Sequence, residues 1–390
     1  MKVKQSPDDF FVEELTDVAP AGSGDFALYR LDKRGWSTPD ALAAIRRRWR
    51  IDLYRVSCGG LKDRHAHTLQ FFTILRGPNR NLKHDDIAVR YLGQVPEPFV
   101  SKDIRANRFA VTLRHLEPAA LDGVEQSLAE VRDQGVPNYF DDQRFGSIGE
   151  SQEFVGKALV LGDFEKALQL ALAAPYEHDR APEKKVKAIL GKHWGDWAAC
   201  RERLPPGHAR DLADYLAIHA GDYRGAVARL RPELRGLYLS AFQSHLWNRM
   251  LARWLEEHCR PEQLIQVPLR LGKLPMHRGL EPQQLEELAR LQLPLPSSRQ
   301  KVAEDDPRKP LVDAVLAEEG LQLRQLQVKG IREMFFSKGE RAALCLPAGL
   351  RHEAGPDELN AGKTMLRLHF ELPRGAYATL MIKRIAGSNR

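Results

Sequence analysis

The hydrophobic period of this chain changes twice, and that restricts what it can fold into. Over residues 1 to about 150 the apolar residues gather in short runs such as VSCGG, TLQFFTIL and NRFAVTLRHL. Runs of that length, rich in β-branched and aromatic residues, predict strands. From about 151 to 330 the spacing becomes three and four. EFVGKALVLGDFEKALQLALAA, EKKVKAILGKHW, ARDLADYLAIHA and LYLSAFQSHLWNRMLARWLEEH then predict helices, separated by breaks such as RLPPGHAR and SSRQKVAEDDPRKP. Over 331–390 strand character returns in RAALCLP, TMLRLHFELP and YATLMIKRI. Strands at both ends around a helical middle predict an α+β domain interrupted by an insert.

Two helices in the first segment carry their own start or stop signals. Ser37-Thr38-Pro39-Asp40 offers a hydroxyl cap, a proline in the first turn and an acid. In the helix that follows, Leu42, Ile45 and Trp49 share one face, and Arg46, Arg47, Arg48 and Arg50 cluster around it. That cluster reads either as a solvated face or as a phosphate-contacting patch. LDGVEQSLAEVRDQG predicts a helix ending at its last glycine. In the middle segment GDFEKALQLAL at 162–172 resembles GDYRGAVARLR at 221–231. Two such copies are similar helix starts and do not make a solenoid.

Composition narrows the function. The 390 residues suffice for two or three domains. No apolar run approaches the roughly 18 residues of a membrane span, and MKVKQSPDDF lacks the apolar stretch of a signal peptide, so the expected compartment is the cytoplasm. Cys58, Cys200, Cys259 and Cys345 form no CxxC pair and are expected as buried or half-buried thiols. The net charge of +7 favours a polyanionic partner.

CGGLKDRHAHTLQ, residues 58–70, raises a sharper question, because Lys62, Asp63 and Arg64 stand between two glycines and an apolar strand. A turn with a wet tip is one reading. A metal site is another: were the strand to reach back to residue 63, Asp63, His65 and His67 would share a face. In the third reading Asp63 is a catalytic carboxylate at a rigid strand edge, kept ionised by cationic neighbours.

GLKDRHAHTLQ closely resembles the signature of the TruD family of pseudouridine synthases. The resemblance extends along the chain, through KQSPDDFFVEEL at 4–15, FALYRLDKRGWSTPDALAAI at 26–45, NRFAVTLR at 107–114, VPNYFDDQRFG at 136–146, LYLSAFQSHLWN at 237–248 and FELPRGAYATLMIKRI at 370–385. Asp141 and Ala106 stand where the family pattern has glycine.

The resemblance implies a pseudouridine synthase core with a mixed, largely antiparallel sheet and a central cleft. A mostly helical insertion domain interrupts it, giving core residues 1–150, insert 151–330 and core 331–390. It implies isomerisation of a uridine in tRNA, at position 13 of the D-arm region, by a monomer with no cofactor or metal. Asp63 falls on the catalytic aspartate and Lys4 on its basic partner. Phe10, Asn138 and Tyr377 fall on positions that hold the uridine. Phe140 and Arg144 share the motif of Asn138, and Lys62 and Arg64 flank the aspartate as further substrate contacts. The residue types suit the chemistry, since a flipped base is held by aromatic faces and by a carboxamide that both donates and accepts. Two rivals stand beside this reading: a metal-dependent hydrolase using Asp63, His65 and His67, and a non-catalytic tRNA-binding or folding protein on the same scaffold.

Overall fold

The strands assemble into one large sheet. A computed structural model describes residues 1–176 and 179–387. The chain divides into two compact units, one formed by Met1–Val136 with the chain from Cys345 onward, the other by Pro137–Leu344. The sequence pattern had placed these breaks near 150 and 330.

The first unit holds a ten-stranded sheet. Its strands are β1 (Lys2–Val3), β2 (Phe10–Leu15), β3 (Phe26–Arg34), β4 (Val56–Cys58), β5 (His67–Leu75), β6 (Leu82–His84), β7 (Ile87–Val95) and β8 (Ala106–Leu116), joined by Ala348–Pro356 and Thr364–Pro373. The order runs Ala348–Pro356, Thr364–Pro373, β8, β2, β5, β3, β7, β6, with β1 on β8 and β4 on β5. The β2–β5 pair is parallel and the other pairs of this sheet are antiparallel. The sheet is therefore mixed and largely antiparallel, and it is open, not a barrel.

Register fixes which side chains share a face. Phe370 lies opposite Phe109, and Phe109 opposite Val12. Val12 lies opposite Thr68, and Thr68 opposite Lys33. At one end of this face the helices α2 (Leu121–Gln134) and Ala378–Gly387 bury a core containing Phe109, Val111, Leu128, Leu368, Phe370 and Met381. At the other, α1 (Thr38–Trp49) covers Tyr29, Leu31, Phe72 and Ile74. Between the two apolar cores the same face carries buried polar residues: Glu14, Lys33, Thr68, Gln70 and Asn107.

The stretch YATLMIKRI reads as a strand by composition, yet its residues from Ala378 on are helical. The buried residues Ala378, Met381, Ile382 and Ile385 follow three- and four-residue spacing, which packs an amphipathic helix on the sheet. Spacing outweighs β-branched composition here. The predicted Ser37 cap is present and accepts from the Asp40 N–H. The thiols of Cys200, Cys259 and Cys345 are buried and that of Cys58 half-buried.

The second unit is mostly helical, with a hairpin of Leu264–Leu269 and Gly272–His277. Its longest helix, Pro232–His258, buries Phe242, Leu246, Trp247, Met250 and Leu251. The helix Val155–Leu161 packs against it through Gly156, where a Cβ would meet the Tyr238 carbonyl at 2.8 Å. The two Gly-Asp-aromatic helix starts are joined by a third that sequence reading missed. Asp163, Asp196 and Asp222 each cap a helix, accepting from the backbone N–H three residues on, and each follows a glycine with positive φ. Among the described residues no helix is long and apolar enough to cross a membrane.

Glu319 ties helices of this unit together. Lys157 Nζ lies 2.7 Å from it, His245 Nε2 lies 3.6 Å away, and Arg249 also reaches it. The hydrogen bond with His245, followed by that with Lys157, holds its carboxyl down at about 2, below the ordinary 4.5, against the opposing effect of burial. A depressed carboxyl stabilises the fold above its unfolded value and loses that contribution as pH falls through its folded value. Glu319→Gln should therefore melt below wild type near pH 6, by about 1–2 kcal/mol after solvent screening. Melting curves should converge as pH drops from 4.5 toward 2; a gap that persists at pH 2 would show that Glu319 acts by packing alone.

Candidate active site

The loop Gly59–Ala66 crosses the polar strip between the two cores. Neither Gly59 nor Gly60 has a positive φ. Gly59 is required instead by close packing, since a Cβ there would lie 2.7 Å from Ile104 Cδ1 and 2.8 Å from Phe99 Cε1. The strand begins only at His67, so Asp63 stands on the loop.

Lys33 holds that loop from below. Its ammonium is fully buried and donates to the Trp36 carbonyl at 2.7 Å and to the Asp63 carbonyl at 3.0 Å. Burial pushes the ammonium down to about 8, against the opposing pull of Asp63. Thr38 Oγ1 accepts from the Lys62 N–H at 2.9 Å and donates to Gln70 Oε1 at 2.8 Å. The loop is thus pinned at two consecutive residues by β3, α1 and β5.

Above this anchor, Asp63 Oδ2 accepts from Lys4 Nζ at 2.6 Å. Lys4 Nζ also lies 4.2 Å from the centre of the Phe10 ring, a cation–π distance. Lys4 adopts φ +60, a left-handed conformation that costs free energy for a non-glycine residue and is found at functional sites. Phe10 is buried and meets Phe109 edge-on. Lys4, Phe10 and Asp63 are therefore brought together.

The flanking cations behave differently from each other. Lys62 turns inward: its Nζ donates to Asn107 Oδ1 at 2.6 Å and lies 3.1 Å from Glu14 Oε1. Glu14 is buried, and burial pushes its carboxyl up while Lys62 pulls it back. Arg64 is exposed, with Nε 3.3 Å from the Gly35 carbonyl. His65 is exposed, and His67 pairs with Asp32 at 2.9 Å and Asp8 at 3.4 Å. Asp63 and His67 do not share a strand face, and among the described residues no three His, Cys, Asp or Glu side chains group as metal ligands. The geometry assumed for the hydrolase reading is not formed.

Tyr377, half-buried, precedes the helix Ala378–Gly387 in the first unit. Asn138, Phe140 and Arg144 belong to the second. There Asn248 of the long helix clamps Phe140 twice: Oδ1 accepts from its N–H and Nδ2 donates to its carbonyl, both at 2.8 Å. Trp247 meets the Phe140 ring edge-on at 5.5 Å. The Arg144 guanidinium lies 5.5 Å from that ring, and its Nε is buried with no hydrogen-bond partner among the described residues. Asp141 has φ −85, so the missing glycine is not needed there. Two clefts of about 510 and 650 Å³ lie in this unit, and neither is lined by any of the residues picked from sequence.

Sequence reading missed Lys33, Glu14, Asn107 and Asn248. A charged or amide residue at a core register position is the available signal, and it becomes visible only once the strand faces are known.

Known proteins share this fold and sequence along nearly the whole chain. A crystal structure of a protein from Methanosarcina mazei put forward as tRNA pseudouridine synthase D (TruD) superposes with a TM-score of 0.71 and 27% identity, covering 98% of this chain and 93% of that one. A protein from Aquifex aeolicus named tRNA pseudouridine synthase D is 26% identical over 99% of this chain and 98% of its own. One from Methanopyrus kandleri, named as a probable tRNA pseudouridine synthase D, is 30% identical over 94% of this chain and 87% of its own. The family model for tRNA pseudouridine synthase D (TruD) matches residues 1–385. These matches define a pseudouridine synthase, an isomerase. The chain belongs to the tRNA pseudouridine synthase D (TruD) family.

Removing Lys62 would leave Glu14 as a buried charge without its cation. Lys62→Ala should lower the unfolding free energy by about 3–5 kcal/mol, and Lys62→Ala with Glu14→Gln should recover part of it. Chemical denaturation checks this; equal stability of wild type and Lys62→Ala would mean that the pair contributes nothing.

Proposed function

We propose that this protein converts a uridine of tRNA, at position 13 of the D arm, to pseudouridine, with Asp63 as the catalytic carboxylate. The observation that carries the reading is the 2.6 Å contact of Lys4 Nζ with Asp63 Oδ2 on a loop anchored by buried Lys33. The reaction breaks N1–C1′, turns the uracil and joins C5 to C1′. A proton leaves C5 and one is gained at N1, so atoms and electrons balance without a cofactor.

Asp63 must be ionised whether it attacks the substrate or takes a proton at the 2′ position. Lys4 donates a hydrogen bond to that carboxylate at 2.6 Å. The target base leaves its stack at a cost of a few kcal/mol, offset by aromatic contacts. Phe10, Tyr377 and Phe140 supply aromatic faces, and Asn138 supplies a donor and an acceptor. The half-buried Arg144 and exposed Arg64 offer charge to the polyanion. Acting alone as a monomer in the cytoplasm is part of the same reading.

Tritium release from C5-labelled uridine in unmodified tRNA tests this directly, because C5 loses its hydrogen only when a bond forms there. Wild type should release tritium, and Asp63→Asn should release none while still binding tRNA. Normal release by Asp63→Asn would overturn the catalytic assignment, and no release by wild type bound to tRNA would leave a binding protein. Lys4→Met should slow release roughly a hundredfold with little change in melting temperature. A large melting loss would make Lys4 structural.

A further inference from the structure

Asn138 and Phe140 are both held by a side chain that the sequence did not single out. Arg341 lies in the short strand Glu340–Ala342. Its Nε donates to the Asn138 carbonyl at 2.9 Å, and its Nη2 donates to Asn138 Oδ1 at 2.6 Å. The guanidinium carbon lies 4.2 Å from the centre of the Phe140 ring and 5.3 Å from that of Trp247. On its other side, Asn138 Nδ2 donates to the Ala342 carbonyl at 2.9 Å.

This arrangement fixes which way the carboxamide points. A guanidinium only donates and a backbone carbonyl only accepts, so Oδ1 faces Arg341 and Nδ2 faces Ala342. The reversed carboxamide would set N–H against N–H and oxygen against oxygen. A carboxamide offers two N–H groups and two lone pairs, and the protein uses one of each. Among the described residues no further partner takes the remaining N–H and lone pair, which lie on adjoining polar atoms. That pair complements the imide edge of uracil, where an N–H sits beside a carbonyl oxygen.

We propose that Arg341 is a positioning residue, whose fork on Asn138 and stacking on Phe140 present a preset donor–acceptor pair to the uracil. The proposal rests on the reading that Asn138 holds the base. A planar fork is needed, because its N–H groups have a fixed spacing and a common plane, whereas a lysine ammonium on a flexible stem would not set the carboxamide plane. The effect falls on orientation of the base more than on grip of the RNA, since Arg341 spends its hydrogen bonds on the protein's own groups.

The test uses the full chain, unmodified C5-tritiated tRNA and enzyme in excess, so that one turnover is followed. Arg341→Lys keeps the charge beside Phe140 and removes the fork. Its single-turnover rate should fall about ten- to a hundredfold, with tRNA affinity within about twofold and melting close to wild type. Arg341→Gln, which keeps a planar donor, should recover part of the rate, and it serves as the second variant should Arg341→Lys fold poorly. Asn138→Ala should be slow as well, and combining it with Arg341→Lys should cost no more than Asn138→Ala alone, as expected of residues acting through one another. A wild-type rate in Arg341→Lys beside a slow Asn138→Ala would overturn this proposal alone. Losses that multiply in the double variant would also overturn it. A wild-type rate in Asn138→Ala would overturn the base-holding reading itself, and this proposal with it.

Discussion

A buried ammonium organises the first unit. Lys33 has no exposed surface and sits in a row of the sheet otherwise given to Thr68, Val12 and Phe109. An unpaired charge there would be prohibitive. The two carbonyls that satisfy it belong to Trp36 and Asp63, so the requirement to solvate one lysine fixes the entrance to α1 and the KDR loop together. Three lysines then surround the loop with divided duties. Lys33 holds the Asp63 main chain, Lys62 faces Glu14 and Asn107, and Lys4 meets the Asp63 carboxylate. Flexibility is spent below the carboxylate, in rigid anchoring, and a cation is left beside it.

The helix of the LYLSAFQSHLWN block plays the corresponding part in the second unit. Gln243 Nε2 donates to the carbonyls of Pro296 and Ser337, Trp247 Nε1 to that of Leu293, and Asn248 clamps Phe140 at both main-chain groups. All three are buried and lie within two turns. Backbone carbonyls from separate segments are thereby tied to one helix. This is why polar residues interrupt a helix that is apolar around them.

Much of the architecture was legible in the sequence because it rests on local periodicity. TLQFFTIL, NRFAVTLRHL, the Ser37 cap and the long middle helix all carry their own signal. YATLMIKRI misled because isoleucine, threonine and tyrosine favour strands, while the buried set at 378, 381, 382 and 385 follows a helix. The Lys4–Asp63 pair could be named in advance only through the family pattern, since 59 residues separate the partners. Lys33, Glu14 and Asn107 were silent for a different reason. Each is an ordinary strand residue until the register shows it facing a core, and register is not local. Arg341 was silent because its targets lie two hundred residues earlier in the chain.

The order of the sheet carries a consequence for synthesis. Strand β8 pairs along most of its length with Thr364–Pro373, and the core beneath it needs Met381, Ile382 and Ile385. The ribosome delivers those residues only after the entire second unit, Pro137–Leu344. The nascent first unit therefore waits with β8 as an open edge and α2 over an unfinished core, while the contiguous second unit has all it needs to fold. An uncovered edge of eleven residues is a template for wrong pairing. The late-arriving C-terminal strand and helix thus act as the closing step of assembly, and for this chain the stretch most exposed to misfolding is the one that is made first.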